Sequence, residues 1–188
     1  MDKFGYAPYD PSDPGGKPFI DHAVEIGNFI LFEALLNPKV VDKINIIHLN
    51  DIRIANFNSL DSDMFYKFIS VFFSCDRINK HIYINKRDEY NNTLLHMAFT
   101  KKSFNAVRLL ISNGASFNIP DNKGDTAEHI AMRILNDIPD DYIDVLIHME
   151  KAIDKAITNA AGETTETIRM STCRGKDCME DTEEKYFL

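Results

Sequence analysis

Six histidines and three cysteines are the residues whose types invite chemistry in this chain. A catalytic or metal-binding histidine needs a partner at a spacing that brings both to one face of an element. His48, His81 and His148 are scattered, with no His-x-x-x-His or His-x-x-Glu spacing. His22 follows Asp21, a pairing that suits a base, but no serine or cysteine nucleophile falls at the matching position. Cys173 and Cys178 form a single pair, which supplies two ligands where a structural zinc site takes four. Gly15-Gly16-Lys17 lacks the rest of a phosphate-binding loop. The reading is therefore of no catalytic residues, no metal and no cofactor.

The other two histidines belong to a repeat. Asp88-Glu-Tyr-Asn-Asn-Thr-Leu-Leu-His-Met-Ala98 and Asp121-Asn-Lys-Gly-Asp-Thr-Ala-Glu-His-Ile-Ala131 share four residues at an offset of 33. The pairs are Asp88 with Asp121, Thr93 with Thr126, His96 with His129 and Ala98 with Ala131. A threonine immediately before a helix caps an orphan backbone N–H, and an alanine lets two helices approach closely. Val107, Leu109, Leu110 and Ile111 then form an apolar stripe at helical spacing, closed by Gly114 where a helix needs a left-handed residue.

The period and the Thr-x-x-His-x-Ala pattern resemble the ankyrin-repeat family and its Thr-Pro-Leu-His-x-Ala motif. The resemblance implies an all-α solenoid of about four helix-turn-helix repeats joined by short hairpins. Thr93, His96, Ala98, Gly114, Thr126, His129 and Ala131 are then its structural residues, with each histidine tying its helix and turn to neighbouring backbone.

That frame orders the rest of the chain. Residues 1–14 read as a flexible segment and 15–160 as the repeat domain. Its repeats fall near 15–42, 43–85, 86–118 and 119–150, with a capping helix to 160. In the first, Pro18 takes the threonine position and Asp21 the histidine position, and Gly27-Asn28 forms the turn between helices. The second is degenerate, with a first helix within Ile46 to Asn56 and a second over Asp63 to Phe73. The fourth carries a late helix from Tyr142 to Met149. Residues 161–188 show no period and read as a disordered acidic tail.

Thirteen Phe and seven Tyr are many for such a solenoid, and either fill the core of the irregular repeat or form an exposed anchor patch. A formal charge of −8 argues against direct nucleic-acid binding, which needs a basic face. No apolar run reaches the length of a membrane span and no secretory h-region follows Met1, so the expectation is an intracellular, cytoplasmic protein.

Family resemblance implies binding of another protein through hairpin tips and first-helix surfaces. The tips are Glu89, Tyr90 and Asn91 in one repeat, and Asn122, Lys123 and Asp125 in the next. A short, divergent chain rich in Asn, Ile, Lys, Asp and Phe is further similar to viral IκB-like ankyrin proteins. That similarity implies a partner of the Rel/NF-κB type and inhibition of host immune signalling. A bacterial or viral effector, an adaptor, or a cellular scaffold with some other partner is the alternative.

Overall fold

The computed structural model describes residues 19–37, 52–76, 78–139, 142, 145 and 156–172. The chain divides into two compact units, Met1–Asn79 and Lys80–Leu188. Among the described residues the regular structure is helical, with one isolated bridge between Thr158 and Thr164. The segment 1–14, the stretch 46–51 and all but Tyr142 and Val145 of the expected late helix lie outside the described residues.

The first unit opens with a helical hairpin, α1 (Phe19–Glu25) and α2 (Phe29–Leu36). Gly27 turns the chain at φ 65°. Asn28 then caps α2, its side chain accepting the Leu31 N–H at 3.0 Å. Helix α3 (Ser62–Ser74) begins on Asp61, whose carboxylate accepts the Met64 N–H at 2.8 Å. Its apolar residues recur at helical spacing, so Phe65, Phe68, Ile69, Phe72 and Phe73 all turn inward.

The preceding element departs from the sequence expectation. Over Ile54–Ser59 it is a 3-10 helix, where an α-helix was expected to reach Asn56; residues 46–51 of that expectation lie outside the described residues. Ile54 and Phe57, spaced for a 3-10 turn, are its only buried residues. Asn56 and Asn58 are poor α-helix formers, and extended backbone at Leu60 ends the element before a second α-turn can form.

Loss of the usual small residues in this unit is made up by aromatic rings. Phe32 lies 4.7 Å from Phe68 and 6.5 Å from both Phe57 and Phe72, centroid to centroid. These spacings are those at which ring edges meet ring faces or rings stack offset. Phe32, Phe57, Phe65, Phe68 and Phe72 are fully buried, so these five rings are core.

The second unit contains α4 (Lys80–Tyr83), α5 (Leu94–Thr100), α6 (Phe104–Ser112), α7 (Ala127–Arg133), a 3-10 turn at Leu135–Asp137, and α8 (Thr165–Thr172). Helix α5 packs on α6 and on α7, and α7 packs on α8. Ala98 and Ala131 have no exposed surface, as a close helix contact requires. Helix α6 buries Ala106, Val107 and Leu110 and stops at Asn113 and Gly114, the glycine at φ 86°.

The structure departs from three further expectations. Residues 156–160 run as turn and bridge, not as the end of a capping helix. Residues 161–172 are ordered, because Asn159 to Thr164 form a hairpin turn and Thr165–Thr172 a helix with Thr165 and Ile168 buried. Residues 80–85, read with the degenerate repeat, belong to the second compact unit.

The aromatic core gives a direct expectation for stability. Phe32→Ala should cost about 3–5 kcal/mol in urea unfolding, as large-to-small changes in sealed cores do. Ile30 is 80% exposed on the same helix. Ile30→Ala should shift stability by no more than about 0.5 kcal/mol.

Candidate binding surface at the hairpin tips

Three hairpin turns in the second unit share one construction. In the first, the Asp88 carboxylate accepts the Tyr90 N–H at 2.9 Å and the Asn92 N–H at 2.7 Å. In the second, Asp121 accepts from Lys123 at 2.7 Å and Asp125 at 2.9 Å. In the third, the Asn159 side-chain oxygen accepts from Ala161 at 3.0 Å and Glu163 at 2.9 Å. Each turn carries a left-handed residue at the same place: Asn91 at φ 62°, Gly124 at φ 75° and Gly162 at φ 76°. Asparagine and glycine are the residues that tolerate this conformation.

Adjacent tips are bonded to each other in register. The Asn122 N–H donates to the Tyr90 carbonyl at 3.0 Å, and the Ala160 N–H donates to the Lys123 carbonyl at 2.8 Å. The second and third turns approach so closely that a Cβ on Gly124 would stand 2.9 Å from the Ala160 nitrogen. Gly124 is therefore constrained both by its own φ and by its neighbour.

Behind the tips, buried histidines fasten each helix to the next hairpin. Thr93 is the N-cap of α5 and forms a reciprocal capping box with His96. His96 Nδ1 accepts the Thr93 N–H at 3.1 Å, with the Thr93 hydroxyl 2.8 Å away. An Nδ1 that accepts must be unprotonated, so the ring hydrogen sits on Nε2 and donates to the Asp125 carbonyl at 3.1 Å. Thr126 and His129 repeat the arrangement at α7, with Nε2 3.2 Å from the Glu163 carbonyl. In the third turn Thr167 holds the position of these histidines.

The first unit inverts the polarity. Asp21, at the histidine position, is fully buried and accepts the Arg53 N–H at 2.8 Å and the Arg53 Nε–H at 3.2 Å. Burial pushes its carboxyl above the usual range, and the bonds from Arg53 and Asn56 oppose that shift without overcoming it. Asp21 is thus directed at Arg53, while His22 Nδ1 lies 3.8 Å from Glu25.

Of the candidate tip residues, Glu89, Tyr90, Asn122 and Lys123 are exposed and Asn91 is half-buried. Tyr90 is 60% exposed, which is unusual for so large a ring. Asn91 and Asn122 are also joined by a side-chain hydrogen bond. Asp125, expected among the exposed tip residues, is buried. It is 7% exposed, gripped by both Arg133 terminal nitrogens at 2.7 and 2.9 Å and by Asn159 at 2.9 Å. Burial would raise its carboxyl, but the Arg133 and Asn159 bonds prevail and hold it below the ordinary carboxylate range. The turn residue Asn159 donates to Asp125 and also to Glu163, which an aspartate could not do. The tip residues missed by the sequence reading are Ala160 and Ala161, both exposed.

Residues 52–159 match the family described as ankyrin repeats in three copies. The chain belongs to the ankyrin-repeat family. Its match ends at Asn159, where the third turn of the second unit begins. An 82-residue stretch is 37% identical to the E3 ubiquitin-protein ligase KEG of Arabidopsis thaliana. That likeness covers 43% of this chain and 5% of the relative's length. Ankyrin repeats are modules for protein–protein interaction, and the tips described above combine a fixed backbone with exposed side chains. Among the described residues no helix is long and apolar enough to cross a membrane.

The histidine bond predicts a pH response. Burial holds the His96 ring below its ordinary value of 6.5, despite favourable charges on Asp121 and Asp88. Between that lowered value and 6.5 the unfolded chain binds the proton and the folded chain does not, so stability rises with pH. His96 should contribute fully above about pH 6.5 and lose up to about 1.4 kcal/mol per pH unit below it. Urea unfolding between neutral pH and mild acid should show this slope, and His96→Gln should reduce it by about one proton's worth.

Proposed function

We propose that the chain is a non-enzymatic binding protein that holds its partner on the ladder formed by the Tyr90, Lys123 and Ala160 turns. The observation that carries this reading is the separation of roles along each turn. Carboxylates and amides of Asp88, Asp121 and Asn159 fix the backbone from inside, while Glu89, Tyr90, Asn122 and Lys123 remain exposed. A rigid backbone that presents an exposed aromatic ring loses little conformational entropy on binding, which is what an interface anchor requires.

For the partner we assign a Rel/NF-κB-type factor, with the chain acting as an IκB-like inhibitor that retains it in the cytoplasm. Support comes from the ankyrin repeats themselves and from a sequence rich in Asn, Ile, Lys, Asp and Phe, as in viral IκB-like ankyrin proteins. Net acidity would steer the chain toward the basic surfaces of such a dimer. The second reading is an adaptor that presents some other protein to a larger assembly. It is favoured by the likeness to a segment of a ubiquitin ligase.

A titration of the folded chain against a purified Rel-homology dimer tests both parts. Binding is expected, with Tyr90→Ala and Glu89→Lys each weakening it at least about tenfold while the thermal melt stays unchanged. A folded chain that ignores the dimer refutes the Rel assignment. Binding that is indifferent to both substitutions refutes the tip surface.

A further inference from the structure

We propose that Asn113 is a site of spontaneous deamidation whose rate is gated by the C-terminal turn of α6. Asn113-Gly114 is the sole Asn-Gly pair in the sequence. Glycine has no side chain to hinder its nitrogen, and open space surrounds the position where a Gly114 Cβ would sit. The reaction needs only water. The Gly114 amide nitrogen gives up its proton and attacks Cγ of Asn113, and the side-chain nitrogen leaves as ammonia. The resulting cyclic imide is hydrolysed at Cγ to aspartate, or at the main-chain carbonyl to isoaspartate.

In the closed turn both reacting groups are engaged. The Gly114 N–H donates to the Ile111 carbonyl at 2.9 Å, and the Asn113 side-chain nitrogen donates to the Leu109 carbonyl at 2.8 Å. Asn113 sits at φ −95° and ψ 8°. That ψ swings the Gly114 nitrogen away from the side of Cβ, so Cγ cannot be reached until the turn opens. Helix ends are where such local opening occurs most readily.

The product does not fit the same turn. Aspartate at this position loses the donor to Leu109 and places a negative charge at the negative end of the α6 dipole. Isoaspartate lengthens the backbone by a methylene and breaks the register that sets Gly114 at φ 86°. Because α6 packs on α5, the change acts on the helix that carries Thr93 and His96. Deamidation is thus a one-way loosening of the repeat, paced by its own fraying.

Peptide mass mapping of the full chain, aged at mildly alkaline pH with and without unfolding urea, tests this. The expected result is conversion at Asn113 ahead of every other asparagine, at least about tenfold faster in urea than in the folded chain. In urea, where the strained φ is irrelevant, Gly114→Ala should suppress the conversion by a similar factor. Asn113→Asp should melt below the parent chain. Equal rates in the folded and unfolded chain, or another asparagine converting first in urea, would overturn the proposal.

Discussion

The second unit depends on one interaction more than on any other: a buried, neutral imidazole bonded on both sides to backbone. His96 takes an N–H from the start of its own helix and gives its own N–H to the carbonyl of the following hairpin. A protonated ring cannot do this, because its Nδ1 then carries a hydrogen and no longer accepts. Each ring therefore serves two repeats at once, which is why a module with only local contacts can still present successive turns in register. Where the histidine is replaced, the demand for a crossing bond persists, and Asp21 meets it by accepting an N–H from Arg53.

The distribution of charge follows from the same architecture. Read as a total, −8 describes an acidic protein. Near the tips, much of that acidity is already engaged. Asp88 and Asp121 hold backbone N–H groups, and Asp125 and Glu163 share Arg133. Asp125 belongs to this internal set, so its sequence position between two tips says nothing about accessibility. The Arg133 side chain is itself 38% exposed, so its ion pairs add modest stability, and their value lies in fixing where the second and third turns meet.

The sequence disclosed most where a single residue type satisfies a geometric demand. Threonine, histidine and alanine at an offset of 33 exposed two hairpins because each residue has a distinct task that few others perform. The third hairpin escaped for two physical reasons. Asn159 follows Asp121 by 38 residues, which breaks the period, and Thr167 stands where histidine was sought. The signal that remained was the turn itself: Asn159-x-x-Gly162-Glu163-Thr164 repeats Asp121-x-x-Gly124-Asp125-Thr126. The 3-10 helix at Ile54–Ser59 was equally hidden, since its two inward residues carry too little pattern to define a period.

If the histidine bond is what makes the tips one array, breaking it at one repeat must loosen the next. Native-state hydrogen exchange on a His96→Gln chain measures this directly. Protection should fall not only at the Thr93 amide, which loses its own acceptor, but also at Asn122 and Thr126 in the following turn. Loss of protection confined to Thr93, with Asn122 and Thr126 unchanged, would contradict it.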